Sequence, residues 1–503
     1  MRLRRVAVQT NKSEMSIFMS PKPFTFFVAF AALCCVSTTS LSQQQSSAPP
    51  ASGDADQQSA QQQTGQPMTP GMALATWYQR AAEAYAAEDH EAWVTALENL
   101  HRMRPFNYDF MRQLVIGYAL TGKTPEAFSM MLRMQQQGLA ADWDQVEEVE
   151  SLRQYPLYPH LRDLMKSAGE PAGQASEVFT IDADYPMPEA LAFDAGTGRV
   201  FVGTVRDGLI LVRGEDDVEF SVFADSADTP GLSAVFDLLV DEARGHLWVA
   251  TGTTGQYRHA RSSGFGRTAL IKLDLATGEK LGEYRVLPDG QQHMLGAMAL
   301  AEDGTIYAAD GSAPLIYRLQ PGDERPQQFL GTPVFTSLRG IALAQDGQRL
   351  YVADYDLGLF FFNLDENGQG FALGIPETLN LGGIDGLYQW DGQLVAIQNG
   401  VTPQRVLRLK LDDSGTRVAS VATLAKAQPA FDNPTFGTVA GEDLLFLGAS
   451  HWHYVGPNGQ VVNPPLPDVP VLRSSIKDAK NVIVGEEMLE KLKRQGGPVM
   501  PRR

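Results

Sequence analysis

Cysteine is scarce in this 503-residue chain, which contains only Cys34 and Cys35. Both lie in an apolar run, residues 24–36, that is too short to cross a bilayer and is typical of the core of a signal peptide. Removal of such a leader would leave a mature chain with no thiol, which excludes a cysteine nucleophile and a disulfide framework. Lipidation at Cys34 or Cys35 remains an alternative, although Leu33 or Cys34 then stands where lipoprotein signals favour a small residue.

The residues after the apolar run have the pattern of a cleavage site. Ser40 and Ser42 satisfy the small-residue rule for cleavage. The sequence therefore predicts a signal peptide over residues 1–42, a mature start near Gln43, and export to the periplasm or the exterior. No membrane span is expected.

Positive charge is also in deficit, since 41 Lys and Arg stand against 59 Asp and Glu, for a formal charge of −18. A surface this negative repels phosphate backbones and anionic membranes, so nucleic acid is excluded as a partner.

Several catalytic motifs are missing as well. The sequence has no Gly-x-Ser-x-Gly elbow, phosphate loop or His-Glu-x-x-His motif.

Two segments follow the predicted leader: a spacer and a helical region. Residues 43–72 are rich in Gln, Ser and Pro, which predicts a disordered spacer. Residues 73–168 have apolar side chains at helical spacing, which predicts an all-α domain. A helix-turn-helix pattern recurs there after about 34 residues, the period of a tetratricopeptide repeat, and such a unit is typical of protein contacts. The repeated positions are Tyr85, Ala92, Ala96 and Pro105, then Tyr118, Ala127 and Met131.

A strand pattern recurs six times between residues 177 and 471. Each copy is an apolar or aromatic triplet, and the copies are Val200-Phe201-Val202, Leu247-Trp248-Val249, Ile306-Tyr307-Ala308, Leu350-Tyr351-Val352, Leu394-Val395-Ala396 and Leu445-Phe446-Leu447. The centres are 47, 59, 44, 44 and 51 residues apart, which is close to the length of a four-stranded propeller blade apart from one insertion. We therefore predict a mainly β fold, a six-bladed β-propeller, followed by a tail over residues 472–503.

The openings of several repeats resemble a known family. The segments Glu189-Ala-Leu-Ala-Phe-Asp, Arg339-Gly-Ile-Ala-Leu-Ala and Asp385-Gly-Leu resemble blade openings of the senescence-marker-protein/gluconolactonase family, and they are also similar to NHL and strictosidine-synthase-like propellers. The family holds a divalent cation at the top of its central channel with Glu, Asn and Asp ligands. The resemblance places Glu189, Arg339 and Asp385 at those three positions.

Arg339 departs from the family pattern. A guanidinium has no acceptor and a permanent charge, so it cannot ligate a metal and would repel a dication. We expect Arg339 to replace the metal by bridging Glu189 and Asp385, and no cofactor is then needed. The alternative is that Arg339 turns to solvent and the two acids bind Ca or Zn.

Other polar residues are predicted on the same face. The loop before the first strand and the loop after the second strand of each blade share one end of the channel, which is the usual ligand face. We expect Asp310, Asp354, Asn399 and His451 to surround the mouth there. The insertion at residues 251–266 carries Tyr257, Arg258, His259 and Arg261, either to recognise a ligand or as a solvated basic loop. His451 and His453 have the spacing of a transition-metal chelate, although no third ligand is evident.

Two functions are compatible with these residues. The first is an exported propeller that binds a small polar ligand at the channel top and contacts a protein through its helical unit. The second is a lactonase-type hydrolase in which Glu189 and Asp385 hold a metal and serve as candidate catalytic groups.

Overall fold

The computed structural model describes residues 70–332, 334–365, 368–479 and 482–483. The predicted leader, both cysteines, most of the spacer and the end of the predicted tail lie outside these ranges. Within the described residues, no helix is long and apolar enough to span a membrane.

The N-terminal part is helical, as predicted. Its helices are α1 (Pro70–Ala86), α2 (His90–Met103), α3 (Tyr108–Leu120), α4 (Thr124–Gln136) and α5 (Leu157–Ala168), with 3₁₀ turns at Trp143–Gln145 and Glu147–Leu152. Consecutive α-helices pack against one another from α1 to α4, and α4 packs on α5. Helix α1 begins at Pro70, inside the segment predicted as spacer. The classification of these helices as tetratricopeptide repeats remains a prediction.

The remainder forms six antiparallel sheets. Two strands precede the first blade: β1 (Ala172–Gly173) and β2 (Ser176–Ile181). Blade 1 contains β3 (Pro188–Asp194), β4 (Arg199–Thr204), β5 (Leu209–Arg213) and β6 (Ser221–Asp225). Blade 2 contains β7 (Ala234–Asp241), β8 (His246–Gly252), β9 (Thr268–Asp274) and β10 (Lys280–Arg285). Blade 3 contains β11 (Leu295–Leu300), β12 (Ile306–Asp310), β13 (Leu315–Leu319) and β14 (Gln327–Gly331).

The second half repeats this plan. Blade 4 contains β15 (Leu338–Leu343), β16 (Arg349–Asp354), β17 (Gly358–Asn363) and β18 (Gly370–Ala372). Blade 5 contains β19 (Ile384–Trp390), β20 (Gln393–Gln398), β21 (Arg405–Leu411) and β22 (Val418–Lys426), with β1 and β26 (Val482–Ile483) paired to β22. Blade 6 contains β23 (Gly437–Ala440), β24 (Asp443–Leu447) and β25 (Val469–Ser475), and β2 is its fourth strand.

The blades close into a ring. Each first strand contacts the first strand of the next blade, from β3 through β7, β11, β15 and β19 to β23, and β23 contacts β3. Pairing of β2 with β25 joins the two ends of the propeller sequence in one sheet. The six-bladed prediction is confirmed. Strand β25 runs to Ser475, so the propeller passes the boundary that we predicted at residue 471.

The hairpin turn of blade 5 suits its two residues. Asp391 and Gly392 join β19 to β20 with φ angles of 46° and 70°. Positive φ at both central residues is the geometry of a type I′ turn, which suits the twist of antiparallel strands and favours Asp-Gly. The Asp391-Gly392 pair therefore forms the turn between the first two strands of blade 5.

The helical region packs on blade 5. Helix α4 ends near the β20–β21 loop, where Ala140 N donates to Thr402 O at 2.7 Å, and Val401 of that loop joins the core of the helical region. Arg405 is buried beneath this contact and donates through Nη1 to Gln137 O at 3.2 Å and through Nη2 to Asn380 O at 3.2 Å. The helical region is thus anchored through buried polar groups.

Candidate functional site

Three predicted residues reach the channel mouth because each lies in a β-bulge. The register of β3 on β4 shifts at Glu189, that of β19 on β20 at Asp385, and that of β15 on β16 around Arg339. A bulge bends its strand and re-aims the extra side chain. The corresponding bulges of blades 2 and 3 contain Phe236 and Gly296, so the charged groups come from blades 1, 4 and 5.

Arg339 and Asp385 form an ion pair across two blades. The distance from Arg339 Nε to Asp385 Oδ1 is 3.8 Å, which is longer than a hydrogen bond between these atoms. The same Nε donates to Ser337 Oγ at 3.2 Å, and the guanidinium carbon lies 5.8 Å from the centre of the Tyr355 ring. The side chains of Arg339 and Asp385 are 21% and 12% exposed, so both remain accessible from the mouth.

An amide fixes the second oxygen of Asp385. Asn399 Nδ2 donates to Asp385 Oδ2 at 2.8 Å and to Pro434 O at 3.0 Å. Tyr355 OH donates to Asn399 Oδ1 at 2.9 Å. Because the tyrosine hydroxyl occupies the carbonyl end of the amide, the NH₂ end is directed to the carboxylate.

Glu189 is the buried acid of the group, with 5% of its surface exposed. Burial, together with the nearby charge of Asp385, raises the pKa of Glu189 to about 8, while a hydrogen bond with the Trp452 side chain and the charge of Arg339 oppose the shift. Glu189 therefore keeps its proton at neutral pH. The mouth combines a protonated acid, an ion-paired carboxylate and a guanidinium.

Asp310 and Asp354 do not reach the mouth. Each is fully buried at the end of a second strand, and each carboxylate accepts several backbone N–H groups of the adjoining loops. Asp310 also contacts His293 Nδ1 at 2.7 Å. These carboxylates stabilise the loops, and we leave them out of the site.

His451 is likewise occupied by the fold. Its Nδ1 accepts from Met187 N at 3.0 Å, its Nε2 lies 2.7 Å from Pro467 O, and the residue is 1% exposed. Both ring nitrogens are thus engaged within the fold, which leaves neither of them free for a chelate with His453.

The 251–266 insertion leads from the end of β8 to β9 of blade 2 and contacts residues of blades 1 and 2. Tyr257 is buried with Met187 and Phe236 in an apolar cluster, and Arg258 Nε pairs with Asp207 Oδ1 at 2.6 Å. Arg261 and His259 are exposed. The loop is thus held by Tyr257, while its basic residues face solvent.

Sequence reasoning missed Ser337, Tyr355 and Trp452. Tyr355 and Asn399 are equivalent, because each directly follows the second strand of its blade, which ends at Asp354 or Gln398. The residue of blade 4 that corresponds to Asn399 is therefore Tyr355, one position after the predicted Asp354. A shift of one residue in a strand turns a side chain to the opposite face. Correct alignment of the two strand ends would have found Tyr355.

The donor set does not fit a divalent cation. Calcium prefers six to eight oxygens, and the guanidinium of Arg339 lies against Asp385 where a third oxygen ligand would be needed. Across the described ranges, no cluster of three or more His, Cys, Asp or Glu side chains could hold a metal. While Arg339 keeps its place, this arrangement does not supply the set of oxygens that calcium prefers.

Comparisons with known proteins give solved structures only. No family model matches the sequence, and no curated protein does. One similar structure is a luciferin-regenerating enzyme, with 12% identity and a TM-score of 0.43, over 62% of this chain and 98% of that chain. Another is regucalcin, a calcium-binding protein from Agrobacterium tumefaciens, with 15% identity and a TM-score of 0.41, over 59% of this chain and 95% of that chain.

A third similar structure is a putative gluconolactonase, with 14% identity and a TM-score of 0.40, over 62% of this chain and 94% of that chain. The architecture itself is established by the strand pairing. The chain is a six-bladed β-propeller with an N-terminal helical region, and the solved structures similar to it include propellers of the gluconolactonase type.

Proposed function

We propose that the channel mouth binds a small polar ligand. The observation that carries the proposal is the partly accessible ion pair of Arg339 with Asp385, from blades 4 and 5, whose two charges both act on buried Glu189 of blade 1. Charged groups of both signs are costly to bring together in a partly desolvated place, and such clusters occur preferentially at functional sites.

The three groups define the chemistry of the ligand. The Arg339 guanidinium suits a carbonyl or carboxylate oxygen, and the Asp385 carboxylate suits a hydroxyl donor. Protonated Glu189 both donates and accepts. A polyhydroxy compound with one carbonyl or carboxyl group matches all three, so a sugar lactone and its open acid are suitable probes.

The test is calorimetric titration of the full-length mature protein with D-gluconate and with D-glucono-1,5-lactone. We expect binding of at least one probe, weakened at least about tenfold in Arg339→Gln, since a charge-assisted contact is worth roughly 1.5–3 kcal/mol. Arg325→Gln is the matched control, because Arg325 is an exposed arginine outside the mouth. Equal affinity in the two variants would reject the proposal.

A second candidate is hydrolysis of a cyclic ester, and the protonated state of Glu189 beside the ion-paired Asp385 favours it. Two carboxyl groups of different proton affinity can serve as acid and base. Asp385 would take a proton from water, and the resulting hydroxide would attack the carbonyl carbon, with Arg339 polarising the carbonyl oxygen. The ring C–O bond would break, and Glu189 would protonate the leaving alkoxide.

Lactone opening is followed by pH-stat after dialysis against a chelator. Activity in the chelated protein, lost in Glu189→Gln and Asp385→Asn, would support this candidate. Activity restored only by added calcium or zinc would instead favour a metal-dependent hydrolase and would overturn the assignment of Arg339.

Export and protein contact complete the proposal. The apolar leader at residues 24–36 supports export, and mass spectrometry of the mature N-terminus tests it, with Gln43 as the expected first residue.

The exposed side of the helical region supports contact with a protein. Loss of a co-purifying partner after substitution of exposed Leu132 and Leu164 tests that contact.

A further inference from the structure

Glycine stands at one of the bulges that supply the mouth. The register of β11 on β12 shifts at Gly296 in blade 3, as the registers of β3 and β19 shift at Glu189 and Asp385. Gly296 thus occupies the position from which blades 1 and 5 each direct an acid to the mouth. It is half-buried, whereas its neighbours Leu295 and Ala297 are buried. At this position blade 3 presents bare backbone to the mouth.

The fold itself does not require this glycine. The φ angle of Gly296 lies outside the left-handed region, so residues with a side chain can adopt its conformation. Among the described residues, apart from its own chain neighbours, a Cβ at position 296 would meet no heavy atom nearer than Met294 O at 4.0 Å. Gly340, in the opening of blade 4, differs because a Cβ there would lie 2.6 Å from Leu387 Cβ. Close packing therefore explains Gly340 but not Gly296.

The missing side chain leaves an open space at the cost of stability. A glycine inside a strand adds no packing and loses more conformational freedom on folding than any other residue. Such a glycine often marks a bulge at which a ligand approaches the backbone closely. Because Gly296 gives no return in packing, we infer that the space itself has a use.

Polar groups flank this space on both sides. The first strand of blade 3, β11, contacts β7 of blade 2 and β15 of blade 4, and β15 carries Arg339 in its bulge. From blade 2, Asp237 Oδ2 accepts from Met298 N at 2.6 Å, two residues beyond Gly296 on β11. Asp237 is half-buried, and its Oδ1 accepts from Leu238 N at 2.9 Å. A carboxylate oxygen with one such bond retains a lone pair for a hydroxyl donor.

We propose that Gly296 keeps the blade 3 side of the mouth open for the carbon chain of a polyhydroxy acid, and that residue 296 thereby limits the length of the ligand. This inference rests on the proposed function and specifies which part of the ligand lies where. The carboxylate pairs with Arg339, the chain passes over the backbone at Gly296, and a hydroxyl at its far end donates to Asp237. Glycolate is short enough to need only the first contact, whereas gluconate needs all three.

Calorimetric titration of the full-length mature Gly296→Leu variant with gluconate and glycolate tests the inference. Leucine fills the space, so the affinity for gluconate should fall at least about tenfold while the affinity for glycolate changes much less. Asp237→Asn should likewise weaken gluconate more than glycolate, because it removes the charge at the far end of the chain. Gly71→Leu is the matched control, since Gly71 lies on α1 and has no neighbour within 4 Å among the described residues.

Melting temperatures separate a role in binding from a role in folding. Gly296→Ala should melt no lower than the unmodified protein, because replacing a glycine that the fold does not need reduces the freedom of the unfolded chain. A clear fall would show that the strand requires glycine and would overturn the inference. Equal gluconate affinity of Gly296→Leu and Gly71→Leu would overturn it as well. Gluconate that fails to bind the unmodified protein rejects the mouth function itself, and this ligand with it.

Thiol labelling measures the open space directly. The mature chain that we predict lacks Cys34 and Cys35, so Gly296→Cys introduces a single thiol. We expect iodoacetamide to modify this thiol in the folded protein, and saturating gluconate to slow the reaction. Gly71→Cys is the control, whose rate of labelling gluconate should leave unchanged. A thiol at position 296 that reacts only after unfolding, or at the same rate with and without bound gluconate, contradicts the inference.

Discussion

The protonation of Glu189 has a direct consequence for stability. The pKa of Glu189 rises from 4.5 to about 8 on folding, chiefly through burial. The folded protein thus holds this proton more tightly than the unfolded chain does. The resulting stabilisation is fully present below a pH of about 4.5 and is lost as the pH rises to about 8.

The size of the effect follows from the shift. Each pH unit between the two pKa values changes the free energy of unfolding by about 1.4 kcal/mol, so the whole window amounts to at most about 5 kcal/mol. Glu189→Gln keeps the shape of the protonated acid but cannot ionise. We expect the variant to match the unmodified protein near pH 5 and to be the more stable one by roughly 3 kcal/mol near pH 7, and by more at pH 8.

The assay is chemical denaturation of both proteins from pH 5 to 9. Asp237, whose pKa burial raises to about 7, titrates over the same range, so the difference between the two proteins is the informative quantity. Glu324→Gln, at an exposed position, is the control. Parallel pH profiles for the unmodified protein and Glu189→Gln would refute a buried, protonated Glu189.

Two further substitutions test the supports of the site. Tyr355→Phe removes the hydroxyl that orients Asn399. We expect denaturation to show a loss of about 1 kcal/mol in the free energy of unfolding, and calorimetry to show weaker gluconate binding. Both quantities would be unchanged if other contacts fix the amide. Arg405→Met removes the buried cation that joins the helical region to blade 5 and whose pKa burial lowers to about 10. The carbonyl groups that it contacts lose their donors, so we expect the free energy of unfolding to fall by about 3 kcal/mol. We also expect faster proteolysis of the helical region. An unchanged rate of proteolysis would contradict this anchoring.

The propeller was predictable because its signals are local. Apolar triplets at blade spacing and turns such as Asp391-Gly392 each specify a short piece of structure, and six repeats leave little choice of fold. The pairing of β2 with β25 was not predicted. It joins residues almost 300 positions apart, and nothing in the β2 sequence indicates its partner.

The site was predicted in part. Family resemblance identified Glu189, Arg339 and Asp385, and the bulges explain why these blade openings meet. Asn399 lies in the site, whereas Asp354 does not, because Asp354 is the buried last residue of β16 and Tyr355, one position later, reaches the mouth. The contact of Arg104 with Asp356 depends on how the helical region docks, which the periodicity of its helices does not reveal.

Metal titration of the unmodified protein and of Arg339→Asn is the most direct test of the central claim, that Arg339 occupies the place of a cation at the channel mouth. The substitution removes the guanidinium with its competing charge, and it places an amide oxygen beside Glu189 and Asp385. We predict no stoichiometric calcium or zinc binding to the unmodified protein. The variant should bind metal, with a lower melting temperature in the apo form that rises on metal addition. Stoichiometric binding of either metal to the unmodified protein through Glu189 and Asp385 would contradict the account.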